Sequence, residues 1–204
     1  MNIKVFILCL LLAPSLKANS IHSGASLGIN GKNAILSING YYNWTFFADR
    51  LAFGLGGRHT SFFGSEYKAL PVTGGDGQFM SIQDPQIHAL NAAFFSSFRY
   101  DKFAAGFNID LFGISYGPKK KATEFSNGLS GKPASTNILK GAAKDKGTLN
   151  SEFWLGYYLN PQCLLRLGLA HFVAEYKTDQ ADATGNNRFR EFEDYHFLAF
   201  TYVF

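Results

Sequence analysis

The chain has 204 residues, of which 47% are hydrophobic and 16% are aromatic, and its mean hydropathy is close to zero at −0.04. The formal net charge of +4 is small and argues against a nucleic-acid partner, because nucleic-acid-binding proteins carry clustered basic charge against phosphates. Beyond the N-terminus, no apolar stretch is long enough to span a bilayer as a helix. Abundant apolar residues without long apolar runs indicate alternation with polar residues, which is typical of β-strands.

The N-terminal residues have the layout of a secretory signal peptide. A short basic start is followed by an apolar run over residues 5–13 and then by small residues. This run is too short for a transmembrane helix. We expect cleavage after Ala18 or Ser20, which gives a signal peptide at 1–20 and one mature domain at 21–204. Removal of the signal peptide lowers the net charge to +2, because it removes two basic residues and no acid.

Turn signals divide the mature chain into eight extended pieces. Their expected bounds are 21–30, 35–47, 51–63, 86–100, 103–116, 147–159, 163–176 and 191–204. Tight turns containing "ADR", "DK" and "NPQ" follow the second, fourth and sixth pieces, whereas long polar connections follow the third, fifth and seventh. An even number of strands, with short turns at one end and longer loops at the other, is the layout of an outer-membrane barrel.

Each piece alternates between an apolar face and a face of small or polar residues. In the last piece, "FLAFTYVF", large apolar side chains share one face because successive side chains point to opposite sides of a strand. A soluble sandwich of this size would have to bury too many of these aromatic rings. The pattern therefore predicts an all-β fold, a closed antiparallel eight-stranded transmembrane barrel with short periplasmic turns and longer extracellular loops.

The signal peptide, the eight alternating strands and the terminal "YVF" resemble the small eight-stranded outer-membrane proteins of Gram-negative bacteria, such as the transmembrane domain of outer membrane protein A. The resemblance implies a monomer in the outer membrane, in contact with outer-membrane lipids and lipopolysaccharide. It also implies that Phe204 is the signal read by the barrel-assembly machinery during biogenesis. We expect no cofactor.

Polar side chains on the inner faces of the strands are expected to pair inside the barrel. An eight-stranded barrel is narrow enough to be filled by side chains, and a buried charge requires a partner. The expected interior network consists of Arg58, Arg99, Asp110, Glu152 and Arg166.

The stretch "RHTSFFGSE" contains the best candidate for a catalytic site. His59 and Ser61 share the outward face of the third piece, either Glu66 or Asp84 could serve as the acid, and His88 lies nearby on the fourth piece. This arrangement resembles the His-x-Ser of the lipid A 3-O-deacylases, which implies a lipid A-modifying hydrolase. That family carries its motif late in the chain and follows the serine with Asn, whereas Phe62 follows here. We therefore expect no catalytic residue and no metal site, with the hydrolase as an alternative.

The long connection at 117–146 is strongly basic. It carries seven lysines against two acids, while the 64–85 connection has a net charge of −2. The lysines are Lys119, Lys120, Lys121, Lys132, Lys140, Lys144 and Lys146. This charge favours contact with lipopolysaccharide or an anionic host glycan. The sequence thus predicts a structural or surface-interaction role in envelope integrity or adhesion. A second alternative is a narrow conduit for small hydrophobic molecules, as in the similarly sized family W outer-membrane proteins.

Overall fold

The computed structural model describes residues 17–72, 79–121, 129–141, 145–182 and 185–204. In chain order the strands are β1 (Lys17–Asn30), β2 (Asn33–Phe46), β3 (Leu51–Phe63), β4 (Glu66–Pro71), β5 (Met80–Gln83), β6 (Gln86–Tyr100), β7 (Phe103–Tyr116), β8 (Lys120–Lys121), β9 (Ser130–Pro133), β10 (Thr136–Ile138), β11 (Leu149–Asn160), β12 (Cys163–Thr178) and β13 (Arg188–Val203). Over these ranges, no helix is long and apolar enough to cross a membrane.

Eight long strands close into one antiparallel barrel, which confirms the predicted fold class. They follow each other around the wall in the order β1, β2, β3, β6, β7, β11, β12 and β13. The last strand closes the barrel because β13 pairs with both β12 and β1, so that Leu198 lies opposite Leu167 on one side and Leu27 on the other. Closure leaves no free sheet edge along these strands, and edges are what make open sheets aggregate.

The two ends of the barrel differ in their connections. At the short-turn end, turns at 47–50, 101–102 and 161–162 join successive strands, and β1 begins and β13 ends there. The first two turns use positive φ angles at Phe47, Ala48, Asp49 and Asp101. The opposite end, called the loop end below, carries the turn at 31–32 and the three long connections.

The predicted signal peptide falls largely on residues 1–16, which lie outside the described residues. The remaining part begins β1, which pairs with β2 from Lys17 opposite Thr45 onward. The cleavage site stays a prediction.

The long connections contain strands that the sequence did not predict. Strand β9 pairs with β12, and β10 pairs with β7, so the two together continue the wall above β11, which only begins at Leu149. Backbone bonds from Ala134 to the Glu175 carbonyl and from Leu139 to the Leu111 carbonyl fasten this segment on both sides. At the other side of the barrel, β4 pairs with β5 and reaches β13.

Large apolar side chains cover the outer wall. Leu155, Phe153 and Leu167 expose 71%, 65% and 61% of their surface, although they lie in the middle of long strands. Aromatic rings are exposed towards the short-turn end, including Tyr100 and Phe103. An outward apolar band with aromatic residues at its rim is typical of barrels that span a lipid bilayer.

The interior is filled by side chains arranged in three layers. An aromatic layer near the loop end stacks Phe62 on Phe172, with ring centroids 5.5 Å apart. A second layer nearer the short turns packs Phe95 against Tyr41 at 5.3 Å and Trp154 at 5.8 Å. Between the two lies a layer of buried charged and amide side chains. Glycines admit the bulky rings: a Cβ at Gly106 would lie 2.5 Å from the Trp154 ring.

Candidate functional site

The central interior layer is a hydrogen-bonded charge cluster around Arg58. Arg58 Nε donates to Asp110 Oδ1 at 2.8 Å, and Arg58 Nη1 lies 3.0 Å from Glu152 Oε1. Asn91 donates to Asp110 Oδ2 at 2.7 Å, and Asn108 donates to Glu152 Oε2 at 2.6 Å. The three charged side chains are at most 1% exposed. This cluster bridges β3, β7 and β11 across the barrel and has the properties of a packed polar plug.

The other two arginines of the predicted network lie apart from this cluster. Arg166 is 1% exposed and has no hydrogen-bond partner among the described residues, but its guanidinium lies 5.3 Å from the centre of the Trp154 ring. Arg99 lies at the short-turn end, where it donates to the Asp101 carbonyl and stacks on the Tyr158 ring at 4.0 Å. Alternation along each strand predicted the inward face of these arginines but not their heights in the barrel.

The outward Ser61 lies in a cluster of aromatic and histidine side chains near the loop end. Its Oγ is hydrogen-bonded to His88 Nδ1 at 2.8 Å, and the other ring nitrogen of His88 meets the Gln86 amide at 2.9 Å. His59 instead bonds the Tyr116 hydroxyl at 3.1 Å. The register between β3 and β6 places Ser61 directly opposite His88. His88 is therefore the hydrogen-bond partner of Ser61.

Glu66 lies away from Ser61 and His59. It accepts a hydrogen bond from Ser81 at 3.1 Å and pairs with Lys68 at 3.4 Å. The structure thus pairs Ser61 with His88, which the sequence placed nearby on the next long strand, instead of with His59, and the other ring nitrogen of His88 meets an amide. A carboxylate is the group that would orient and charge-stabilise such a base.

Four outward lysines form a patch near the loop end, called the basic patch below: Lys119, Lys121, Lys132 and Lys177. Lys132 on β9 lies directly opposite Lys177 on β12. Lys121 on β8 lies opposite Ser130, which is two residues before Lys132 and on the same face of β9. Lys119 is exposed just before β8 and pairs with Asp179, whose backbone N–H donates to the Ser130 carbonyl. Lys177 was not among the predicted lysines, because only the pairing of β9 with β12 brings it to the loop lysines.

The remaining predicted lysines are spread more widely. Lys140 and Lys146 are exposed around the short β10 segment, and Lys120 is half-buried. Lys144 lies outside the described residues.

The C-terminal Phe204 continues the outward face of the last strand. Its backbone N–H donates to the Ile21 carbonyl at 2.9 Å, and its ring packs on Tyr202 with centroids 4.6 Å apart. The ring is 71% exposed. The last residue is therefore part of the seam between β13 and β1.

The fold of this chain is similar to the folds of several solved outer-membrane proteins. A crystal structure of Neisserial surface protein A (NspA) shares 11% identity, with 91% of this chain and 96% of that chain covered and a TM-score of 0.40. The outer membrane protease OmpT from Escherichia coli shares 9% identity over 95% and 99% of the two chains, with a TM-score of 0.35. Ail, the attachment invasion locus protein of Yersinia pestis, solved with the heparin analogue sucrose octasulfate, shares 11% identity over 91% and 96%, with a TM-score of 0.36.

No family model matches the chain, and no curated protein matches it. The closed eight-stranded antiparallel barrel is the architecture that the sequence predicted.

Proposed function

We propose that the protein is an outer-membrane barrel whose loop end binds anionic saccharides. The membrane assignment is supported by the outward apolar side chains at mid-strand and by the aromatic rim at the short turns. Full pairing of backbone groups within a closed barrel is also what a lipid environment demands. In this assignment the short turns are periplasmic and the loop end is extracellular.

The packed interior favours a structural and surface-binding role over a conduit. The charge cluster around Arg58 and the two aromatic layers occupy the cross-section of the barrel with buried side chains. A route for small hydrophobic molecules would have to pass through the buried Arg58, Asp110 and Glu152. Such a route would require these charges to separate, and breaking a buried pair is costly.

One observation carries the binding proposal: two lysines face each other across a strand pair. Lys132 and Lys177 are exposed cross-strand partners, and neither has an acidic partner within the described ranges. Like charges directly opposite each other destabilise a sheet. An anionic ligand that contacts both ammonium groups removes this repulsion. The shared chemistry of such ligands is a saccharide that carries phosphate or sulfate groups, from lipopolysaccharide or from a host glycan.

The test compares binding of the wild type with that of the Lys132→Gln, Lys177→Gln double variant. Each exposed ion pair contributes roughly 0.2–1 kcal/mol, so we expect about 2- to 30-fold weaker binding. Purified lipopolysaccharide and heparin serve as separate probes, and the one that loses affinity identifies the source of the ligand. Lys102→Gln is the matched control, because Lys102 is exposed at the short-turn end. Equal affinity of the wild type and the double variant for both probes would refute the proposal.

A further inference from the structure

Three outward side chains on neighbouring strands form a polar row near the loop end of the barrel. Ser151 on β11 lies opposite His171 on β12, and His171 lies opposite Asp194 on β13. His171 Nδ1 and Asp194 Oδ1 are 2.7 Å apart. We infer that this row is a serine hydrolase site that cleaves fatty acyl esters at the membrane surface, an activity beyond the proposed saccharide binding.

The order of the three residues is the order that nucleophilic catalysis requires. Asp194 holds Nδ1 of the ring, which leaves Nε2 as the nitrogen that can accept a proton. Ser151 lies on the opposite side of His171 from Asp194, and directly opposed side chains in an antiparallel pair have Cβ atoms roughly 4.5–5.5 Å apart. Phe192 stacks on the His171 ring with centroids 5.9 Å apart, which limits rotation of the ring.

The serine is not engaged by a strong competing bond. Its Oγ lies 3.5 Å from the His171 carbonyl oxygen, a long and weak contact. Rotation of the Ser151 side chain towards Nε2 forms the nucleophile–base bond, and such bonds commonly tighten only when substrate is present. His171 and Asp194 are 48% and 78% exposed, so the row is accessible from outside the barrel.

An apolar groove begins directly beside the row. The next outward residues on the same three strands, Phe153, Leu169 and His196, all line it, together with Leu155 and Leu167. Its volume is about 880 Å³. The groove runs down the outer wall towards the short turns, so a fatty acyl chain lying in it parallel to the lipid chains would place its ester group at the polar row. The substrate class is therefore a fatty acyl ester of a membrane lipid.

The reaction uses only these residues, the ester and water. Ser151 Oγ attacks the ester carbonyl while His171 Nε2 takes the hydroxyl proton, and Asp194 stabilises the imidazolium. The ester C–O bond then breaks, and His171 returns the proton to the departing alcohol. Water, with its proton taken by His171, attacks the acyl-serine and releases the fatty acid, and Ser151 recovers its proton.

The outward Ser61 provides a matched control. Ser61 is also hydrogen-bonded to a histidine on the outer wall, His88. However, Nε2 of His88 meets the Gln86 amide instead of a carboxylate. Ser61→Ala and Ser151→Ala each remove one hydroxyl from the outer wall, although Ser61 is buried and Ser151 is half-buried. Only Ser151→Ala is expected to affect hydrolysis.

The experiment uses the purified barrel in mixed micelles that contain either phosphatidylethanolamine or lipopolysaccharide. Released fatty acid is measured by mass spectrometry, and a fluorophosphonate probe reports the reactive serine by peptide mapping. The wild type should release fatty acid from one of the two lipids and should carry the label on Ser151. Ser151→Ala should lose both signals, and Asp194→Asn should lower the rate by about 100-fold or more.

Heat-modifiable gel mobility verifies that each variant is folded. Dependence of release and labelling on Ser151, with Ser61→Ala unchanged, supports the inference. Labelling of Ser61, release that survives Ser151→Ala, or a folded wild type that neither releases fatty acid nor reacts with the probe would overturn it. Saccharide binding by the basic patch is measured separately, so each proposal can fail without the other.

Discussion

Removal of the Arg58 side chain tests whether the charge cluster holds the barrel together. In an Arg58→Met variant, the side-chain volume is largely kept, but Asp110 and Glu152 lose their shared cation. Both carboxylates are at most 1% exposed, so neither can recover the lost interaction from bulk water. We expect the variant to be strongly destabilised.

The expected loss in the free energy of unfolding follows from the number of buried charges left without a counter-charge. Arg58, Arg166, Asp110 and Glu152 have no net charge together, and the substitution leaves one uncompensated buried negative charge. Removal of one partner of a buried pair typically costs about 3–5 kcal/mol. Arg58→Met combined with Asp110→Asn removes one charge of each sign, so the remaining buried charges, Arg166 and Glu152, sum to zero. We therefore expect the double variant to recover at least half of the lost stability.

Urea titration in detergent micelles or lipid vesicles measures the free energy of unfolding. Tryptophan fluorescence reports Trp154, which is buried against Phe95, together with Trp44 on the outer wall, and the gel mobility of unheated samples reports barrel formation. A loss below about 1 kcal/mol for Arg58→Met, far from the expected range, would refute the reasoning. A double variant that is no more stable than Arg58→Met would refute the charge argument in particular.

Four further predictions concern the outer wall, the barrel interior and the closing strand. Leu167→Arg should destabilise the barrel in vesicles by roughly 2–4 kcal/mol in urea titration if its position is at the bilayer midplane, and a neutral effect would contradict the face assignment. Gly168→Arg should instead block folding through crowding, because even a Cβ there would lie 2.1 Å from the Phe153 carbonyl oxygen; normal heat-modifiable mobility would be evidence against this. Quenching of spin labels at 165–169 by lipid-soluble reagents should alternate from site to site, and uniform quenching would exclude the register. Deletion of Phe204 should lower the amount of folded protein in the outer-membrane fraction, and an unchanged amount would contradict the predicted role of Phe204 in assembly.

The sequence was sufficient for the long strands and their faces. Alternation over ten or more residues placed Leu167 outward and Arg166 inward, because a period of two is a local property of the chain. The tight turns could also be read locally, as at "DK", where Asp101 adopts a positive φ angle. Strands β4, β5, β8, β9 and β10 were not predictable in the same way. They are short and polar, and their partners are distant in the chain.

The candidate sites depend on register, which the sequence does not reveal. His59 was the natural partner for Ser61 because it lies two residues away, but the β3–β6 pairing places His88 closer. The row from Ser151 to Asp194 forms only when two strand registers are both correct. The β11–β12 register aligns Ser151 with His171, and the β12–β13 register aligns His171 with Asp194. Cross-strand alignment is set by closure of the whole barrel, so no local pattern could have assembled these three residues.

The wall formed by β9 and β10 bears on how this protein could be engineered to display foreign peptides. The connection between β7 and β11 would be the obvious site for an insertion, since it is the longest. However, Ala134 and Leu139 bind strand edges on both sides of it, so an insert that displaced them would expose unpaired backbone on β7 and β12. The exposed turn at Gly31 and Lys32 makes a simple hairpin between β1 and β2 and is the safer site for display.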